Sequence, residues 1–350
     1  MLNQCIYANT PATGLLYEDL MEWRQEHDLD YLIGGSTAKQ KNFKEIFKVR
    51  DAVGKFFDCK SENVALVPNF TMGLNMLLEG MPKHSNVLLL ENDYPSLNWP
   101  FETRSFKREY VQINESLEEN IYSKVQSGKV DVLAFSMVQW ISGVKIDLDF
   151  IKKLKKDFPD LLIIADGTQF CGTQTFNFSE SGIDILGASG YKWLLSGYGN
   201  GFVLVSEAAK NRIEPKFIGN GSVDRDVSLR DSIPFCKYLE PGHLDSLNFG
   251  SLQFSLHFLE TIGMEHIGAQ LQKLSFKAKE AFDSLGLLED MVAKRKMHST
   301  IFNIKGDRQL YKKLKKNDVV CVPRGNGIRL GFHFYNTENE IDSIIDIIKS

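Results

Sequence analysis

The chain has 350 residues, 43% hydrophobic and 25% charged, an ordinary globular composition with length enough for one large core and a smaller satellite domain. Its 41 basic and 45 acidic side chains leave a net charge of −4, so no basic surplus points to a nucleic-acid partner. No apolar run reaches the roughly 18 residues a membrane-spanning helix needs, and the opening MLNQCIYANTPATGLL lacks the basic-then-apolar layout of a signal peptide.

In chain order, short apolar runs alternate with longer amphipathic stretches. Helical spacing over 41–57 precedes a strand at 63–67, closed by Pro68, and a helix over 71–81. A strand at 86–93 follows, then a helix over 116–128 started by Ser116 and a strand at 130–138. Asp147 starts a helix over 147–158, and strands follow at 160–167, 183–190 and 201–206. These strands are continuous apolar runs bounded by turn residues, the pattern of strands buried on both faces. The alternation predicts an α/β domain with a largely parallel sheet. After about residue 250 the pattern changes to a long helix over 252–286, strands at 299–305 and 327–334, and a closing helix over 338–350. The expected division is a large α/β domain over 15–250 and a small α+β domain built from 1–14 plus 251–350.

Three strand ends carry an unusual set of side chains. LLIIADGTQ delivers Asp166 and Gln169, IDILGASGYKW delivers Ser189 and Lys192, and Thr71-Met72-Gly73 opens the helix after 63–67. In an open parallel sheet, ligands bind where such ends converge. An electron-sink cofactor needs a lysine amine for its aldehyde and a carboxylate against its pyridine nitrogen. Its phosphate needs a helix N-terminus, where free N–H groups and the dipole favour an anion. Asp166 on an apolar strand is costly to bury without a cationic partner. Lys192 follows it after one turn, one short connection and the next strand.

The D-G-T-Q of Asp166 to Gln169, the S-G-Y-K of Ser189 to Lys192 and the following GYGNGF turn resemble the fold-type I pyridoxal 5′-phosphate (PLP) enzymes, and more narrowly the class V aminotransferase family. That family also includes cysteine desulfurases, selenocysteine lyases and isopenicillin N epimerase-like proteins. Four further segments extend the likeness over nearly the whole chain: NTPATGLL, DYPSLNWPF, EPGHLDSLNFGSLQ and IRLGFHFYNTENEID, with NFTMGLN in the phosphate-turn position. The resemblance implies a mostly parallel, seven-stranded type of sheet between helices, followed by the smaller α+β domain. It implies PLP as cofactor, a Schiff base on Lys192, Asp166 at the pyridine nitrogen and Gln169 at the phenolic oxygen. Thr71, Met72, Ser189 and Tyr191 would hold the phosphate, with Ser246 reaching the site of a second subunit in a homodimer. Tyr94 would lie over the ring face, Arg329 would grip a substrate carboxylate, and Asn9 and Trp140 would line the substrate side. A small amino-acid-like substrate is the expected partner, with no nucleic acid, membrane or metal.

Other readings of the same residues are plain. Arg329 could pair with Glu338 or Glu340, Thr71 could be an ordinary N-cap, and Tyr94 and Trp140 could be core packing. His243 and His333 read as structural histidines. This chain also departs from the family pattern. Gln139-Trp140-Ile141-Ser142-Gly143 stands where related lyases carry Asn before the glycine turn, and His243 replaces a threonine. Val319 to Gly325 runs almost straight into Arg329, which leaves no room for the mobile cysteine loop of desulfurases and places Cys321 in an apolar run. Transamination is therefore expected, with elimination or epimerisation as the alternative and desulfuration disfavoured. Five scattered cysteines without a CxxC pair suggest reduced thiols and a cytoplasmic setting.

Overall fold

The computed structural model describes residues 4–224 and 226–350, apart from the side chains of 39–42. Residues 1–3 of the segment assigned to the small domain lie outside the described set. The strands are β1 (Ile6–Tyr7), β2 (Val64–Val67), β3 (Asn86–Leu90), β4 (Lys107–Val111), β5 (Val132–Ser136) and β6 (Leu162–Asp166). They continue as β7 (Ile185–Ser189), β8 (Gly201–Val205), β9 (Ile301–Lys305), β10 (Val319–Val320), β11 (Val322–Arg324) and β12 (Gly327–Gly331).

Seven of them form one sheet in the order β2-β8-β7-β6-β5-β3-β4. The β7-β6-β5-β3-β4 pairs are all parallel, and β8 runs antiparallel to both of its neighbours. This is the mostly parallel, seven-stranded sheet that the family resemblance implies. Every residue of β5, β6, β7 and β8 is buried, because helices cover both faces. One face packs on Phe70, Leu74, Leu97 and Phe101, the other on Val53, Phe57, Ile121 and Ile151. β4 was not anticipated. It is an edge strand, KREYV, whose first three residues are exposed, so charge masks its strand character.

One helical expectation is corrected, and one further helix was not anticipated. The stretch 252–286 is two helices, Ser246–Ile262 and Met264–Ser284, parted at Gly263, whose φ of 93° interrupts helical geometry. A helix at Glu18–Gly34 had no amphipathic signature, because Leu29, Tyr31, Leu32 and Ile33 on it are exposed. Glu240, ahead of the Ser246 helix, is buried against the Arg50 guanidinium and the Leu66 N–H, which ties that segment to β2.

β9, β12 and β11 form an antiparallel sheet, with Arg329 paired to Asn303 on one side and Val322 on the other. The chain's N-terminal end joins this part of the molecule. β1 lies parallel to β10, and Asn9 bridges to Gly331. Among the described residues no helix is long and apolar enough to cross a membrane.

Candidate active site

β6 and β7 are parallel neighbours, with Asp166 opposite Gly187, so their carboxyl ends open at the same edge of the sheet. Asp166 closes β6 and is buried, its Oδ1 accepting the Thr168 N–H at 2.8 Å. Burial pushes its carboxyl up to about 6; contacts from Thr168 and the charge of Lys192 pull it down, and Asp93 pushes it further up. Lys192 is also buried, and burial lowers its ammonium to about 8 against the pull of Asp166. The two charges therefore feel each other across a buried gap, yet they make no ion pair among the described residues. The Lys192 Nζ instead lies 5.5 Å from the ring centroids of both Tyr94 and Tyr191.

The helix after β2 begins at Phe70, with Asn69 as its N-cap. That corrects the reading of Thr71 as a possible cap. It also corrects the reading of Met72 as an anion donor, because Asn69 is extended and its Oδ1 takes the Met72 N–H at 2.9 Å. Ser189 Oγ accepts the Phe70 N–H at 2.9 Å, and Asn69 O accepts the Gly73 N–H. Thr71 keeps its N–H and hydroxyl without a partner among the described residues. Ser189 thus docks the helix start against the end of β7, beside the Lys192 loop. Tyr191 stacks on Tyr198 at 4.5 Å, and burial raises its hydroxyl above the ordinary value.

Arg329 is buried in the middle of β12. One Nη1 hydrogen goes to the Trp140 carbonyl at 2.7 Å, while Nε has no partner. Burial, and after it the like charge of Arg324, lower this guanidinium from its ordinary 12.5 to about 10, with Tyr94 and Tyr191 acting the other way. Glu338 pairs with Lys273, and Glu340 caps the last helix at Thr337, so the structural ion pair considered for Arg329 is not formed. Two more polar atoms here are buried without partners: Trp140 Nε1 and Asn9 Oδ1. The Trp140 ring meets Tyr94 edge-on at 5.6 Å.

Gln169, expected at the phenolic oxygen, also ties two segments of its own chain together. Its Nε2 donates to Pro11 O at 3.0 Å and its Oε1 accepts the Trp193 indole N–H at 2.7 Å, which leaves one amide hydrogen. His333 is structural, as read. Its Nδ1 accepts the Phe334 N–H, so Nε2 carries the hydrogen that meets Trp193 O at 2.9 Å, one residue beyond Lys192. Ser246 lies on the rim of a cavity of about 530 Å³ with His27 and Tyr31, and none of Asp166, Lys192, Thr71 or Arg329 lines it.

Three residues escaped the sequence reading. Asp93 is buried, holds the N–H groups of Tyr94 and Ser136, and is pushed up by burial. It lies just past the end of β3, at the same edge of the sheet as Asp166, and a carboxylate following an apolar run was the available signal. Thr168 holds Asp166 and the Ser189 N–H. Asn69 is a favoured cap type ahead of an apolar helical run.

A family model described as aminotransferase class-V matches residues 6–344. The chain belongs to that family. Its members are fold-type I enzymes that use PLP. Similar proteins include an uncharacterized aminotransferase, YcbU, of Bacillus subtilis, 24% identical over 96% of this chain and 92% of its own. A probable cysteine desulfurase of Pyrococcus abyssi is 21% identical, with 100% of this chain and 94% of its own covered. An isopenicillin N epimerase of Amycolatopsis lactamdurans is 21% identical over 87% of this chain and 84% of its own. Among solved structures, an apo cysteine desulfurase from Thermococcus onnurineus NA1 shares the fold with a TM-score of 0.85 at 21% identity, covering 99% of this chain and 94% of its own.

The buried groups fit the class V cofactor. Asp166 is a buried carboxylate with no ion-pair partner among the described residues, Lys192 a buried amine likewise, and Thr71 leaves an open N–H and hydroxyl. A ring with a protonated nitrogen, an aldehyde and a phosphate matches those three groups in charge and hydrogen bonding.

Proposed function

We propose that the chain is a class V aminotransferase acting on a small α-amino acid, with Lys192 as the attachment and proton-moving residue. The observation that carries the reading is Arg329, a buried guanidinium with an open Nε beside the Lys192–Asp166 pair. A substrate carboxylate satisfies it as a bidentate fork. PLP supplies an aldehyde that condenses with amines and a ring that accepts electron density.

The protein's own groups do the rest. With its ammonium lowered to about 8, part of the Lys192 population is uncharged near neutral pH and can take and return the substrate's α-proton. Asp166 would keep a proton on the cofactor's ring nitrogen, and Gln169 would offer its remaining amide hydrogen to the phenolic oxygen. Thr71 and Ser189 would hold the phosphate with Tyr191, with Met72 contributing only its turn. Tyr94 would lie against the ring. Trp140 and Asn9 offer a donor and an acceptor to the substrate side.

Desulfuration is disfavoured. Cys321 lies between β10 and β11, and burial pushes its thiol up to about 11, the opposite of a reactive thiolate. Homodimerisation is part of the proposal. It is supported by the exposed Leu29, Leu32 and Ile33 on the Glu18–Gly34 helix, large apolar side chains left in water, and by Ser246 sitting outside its own chain's site. The division into 15–250 and 1–14 plus 251–350 is supported by β1 pairing with β10.

The test is a screen of amino acids for changes in the cofactor's absorption, followed by product analysis. Keto acid formed together with the aminated cofactor supports transamination. Ammonia, sulfide or an inverted amino acid as the main product assigns elimination, desulfuration or epimerisation instead and overturns the proposal.

A further inference from the structure

A second cavity, of about 610 Å³, is lined by Gln169 and Trp193 but by neither Asp166 nor Lys192. Its walls come from the Lys145 turn, residues 173–175, the helix Met264–Ser284 and residues 296–300. Three lysines line it, Lys145, Lys279 and Lys296, against a single carboxylate, Glu265. None of the three lysines makes an ion pair among the described residues. The Lys145 Nζ meets only Gln174 Oε1 and the face of Phe170, 5.4 Å away. Burial lowers it to about 8. The Lys279 Nζ meets the Arg295 carbonyl, is lowered by burial, and is raised only by Asp283 on its own helix. Arg295 donates to the Lys145 carbonyl at 3.0 Å and is already matched by Glu118.

A half-buried ammonium holding only neutral acceptors is held at a disadvantage, since charge taken out of water needs an opposite charge in return. Here two such groups face one cavity in a chain whose net charge is negative. The rest of the wall mixes amides and hydroxyls with an apolar set. Val138, Met264 and Leu271 line it, and Phe276 and Met297 stand at it 72% and 54% exposed. Such exposure of large apolar side chains beside a cavity marks a surface with something to bind.

We propose that this cavity binds a small anion with an apolar body, a carboxylate or a phosphate ester, whose charged end is taken by Lys145 and Lys279. The apolar body lies against Met264, Phe276 and Met297. Because the floor includes Trp193, the residue after Lys192, occupancy is read at the active-site loop through the Trp193–Gln169 hydrogen bond.

The experiment is calorimetric titration of the cofactor-loaded enzyme with phenyl phosphate, hexanoate, inorganic phosphate and phenol. Loading keeps the cofactor's own phosphate site filled. Phenyl phosphate or hexanoate is expected to bind one per chain, and which of them binds separates the ester from the carboxylate. Phenol, which lacks the charge, and inorganic phosphate, which lacks the body, bind far more weakly. Lys145→Gln and Lys279→Gln each weaken binding by about tenfold or more, the loss of one charge-assisted hydrogen bond. Lys145→Arg restores it, which separates charge from any folding defect. The proposal is overturned if neither amphiphilic anion binds up to about 10 mM, weaker than most small-ligand sites, or if both Gln variants bind as the parent does. Equal binding of inorganic phosphate overturns the apolar half of the claim.

Discussion

Replacing Arg329 with Met removes a buried cation and keeps much of the stem volume. A guanidinium lowered from 12.5 to about 10 carries a penalty on its charged form of about 3 kcal/mol at neutral pH, at 1.36 kcal/mol per unit. Because the folded value is depressed, that penalty is borne in full below about 10 and relieved only as pH rises toward 12.5. The substitution also deletes the charge-assisted hydrogen bond to Trp140 O, about 1.5–2 kcal/mol. Without substrate, Arg329→Met is therefore expected to be more stable than the parent by about 1 kcal/mol, read as a higher urea midpoint at constant slope. Function moves the other way. Two charge-assisted hydrogen bonds to a carboxylate are worth about 3–4 kcal/mol, or about 10²- to 10³-fold in kcat/KM. The parent should prefer an amino acid over its decarboxylated amine by that factor, and Arg329→Met should not. A variant destabilised by about 2 kcal/mol or more that still discriminates would refute this reasoning and make Arg329 a structural residue.

Asp166 gives a pH signature in protein stripped of cofactor. Its carboxyl is raised from 3.8 to about 6, so its contribution is fully present below about 4 and is lost as pH rises through 6, about 3 kcal/mol in all. Against Asp166→Asn, which stays neutral, the parent should lose ground between about pH 4 and 7; a gap independent of pH contradicts the assignment. Ser189→Ala should cost about 1–2 kcal/mol of stability, because the buried Phe70 N–H loses its acceptor. Thr71→Val, by contrast, should leave stability nearly unchanged and weaken cofactor retention about tenfold; equal behaviour of the two variants in both assays would overturn the distinction. Sedimentation should show a dimer, and Ser246→Ala should weaken cofactor retention. A monomer with full cofactor occupancy argues against the shared site.

The sheet was legible because its inner strands are buried on both faces and so are written as unbroken apolar runs. The same logic hides β4, whose Lys107, Arg108 and Glu109 face solvent at the edge. It hides the Glu18–Gly34 helix as well, whose apolar side chains are not on a core-facing stripe. Asp166 and Lys192 were legible because a carboxylate and an amine at the ends of apolar strands are chemically expensive and therefore conspicuous. What could not be read is who satisfies whom. Gln169 binds Pro11 and Trp193, contacts between distant segments that spacing does not encode, whereas the Asn69 cap on the Met72 N–H is local and was open to reading. The orphaned atoms of Arg329, Trp140 and Asn9 exist only once β12, the Trp140 turn and the N-terminal segment are brought together.

The most direct measurement is borohydride reduction of the cofactor-loaded protein followed by peptide mass mapping. The cofactor should be fixed on Lys192, in the peptide that carries Tyr191 and Trp193, and on no other lysine. Attachment elsewhere, or a protein that takes up no PLP, would contradict the account at its centre.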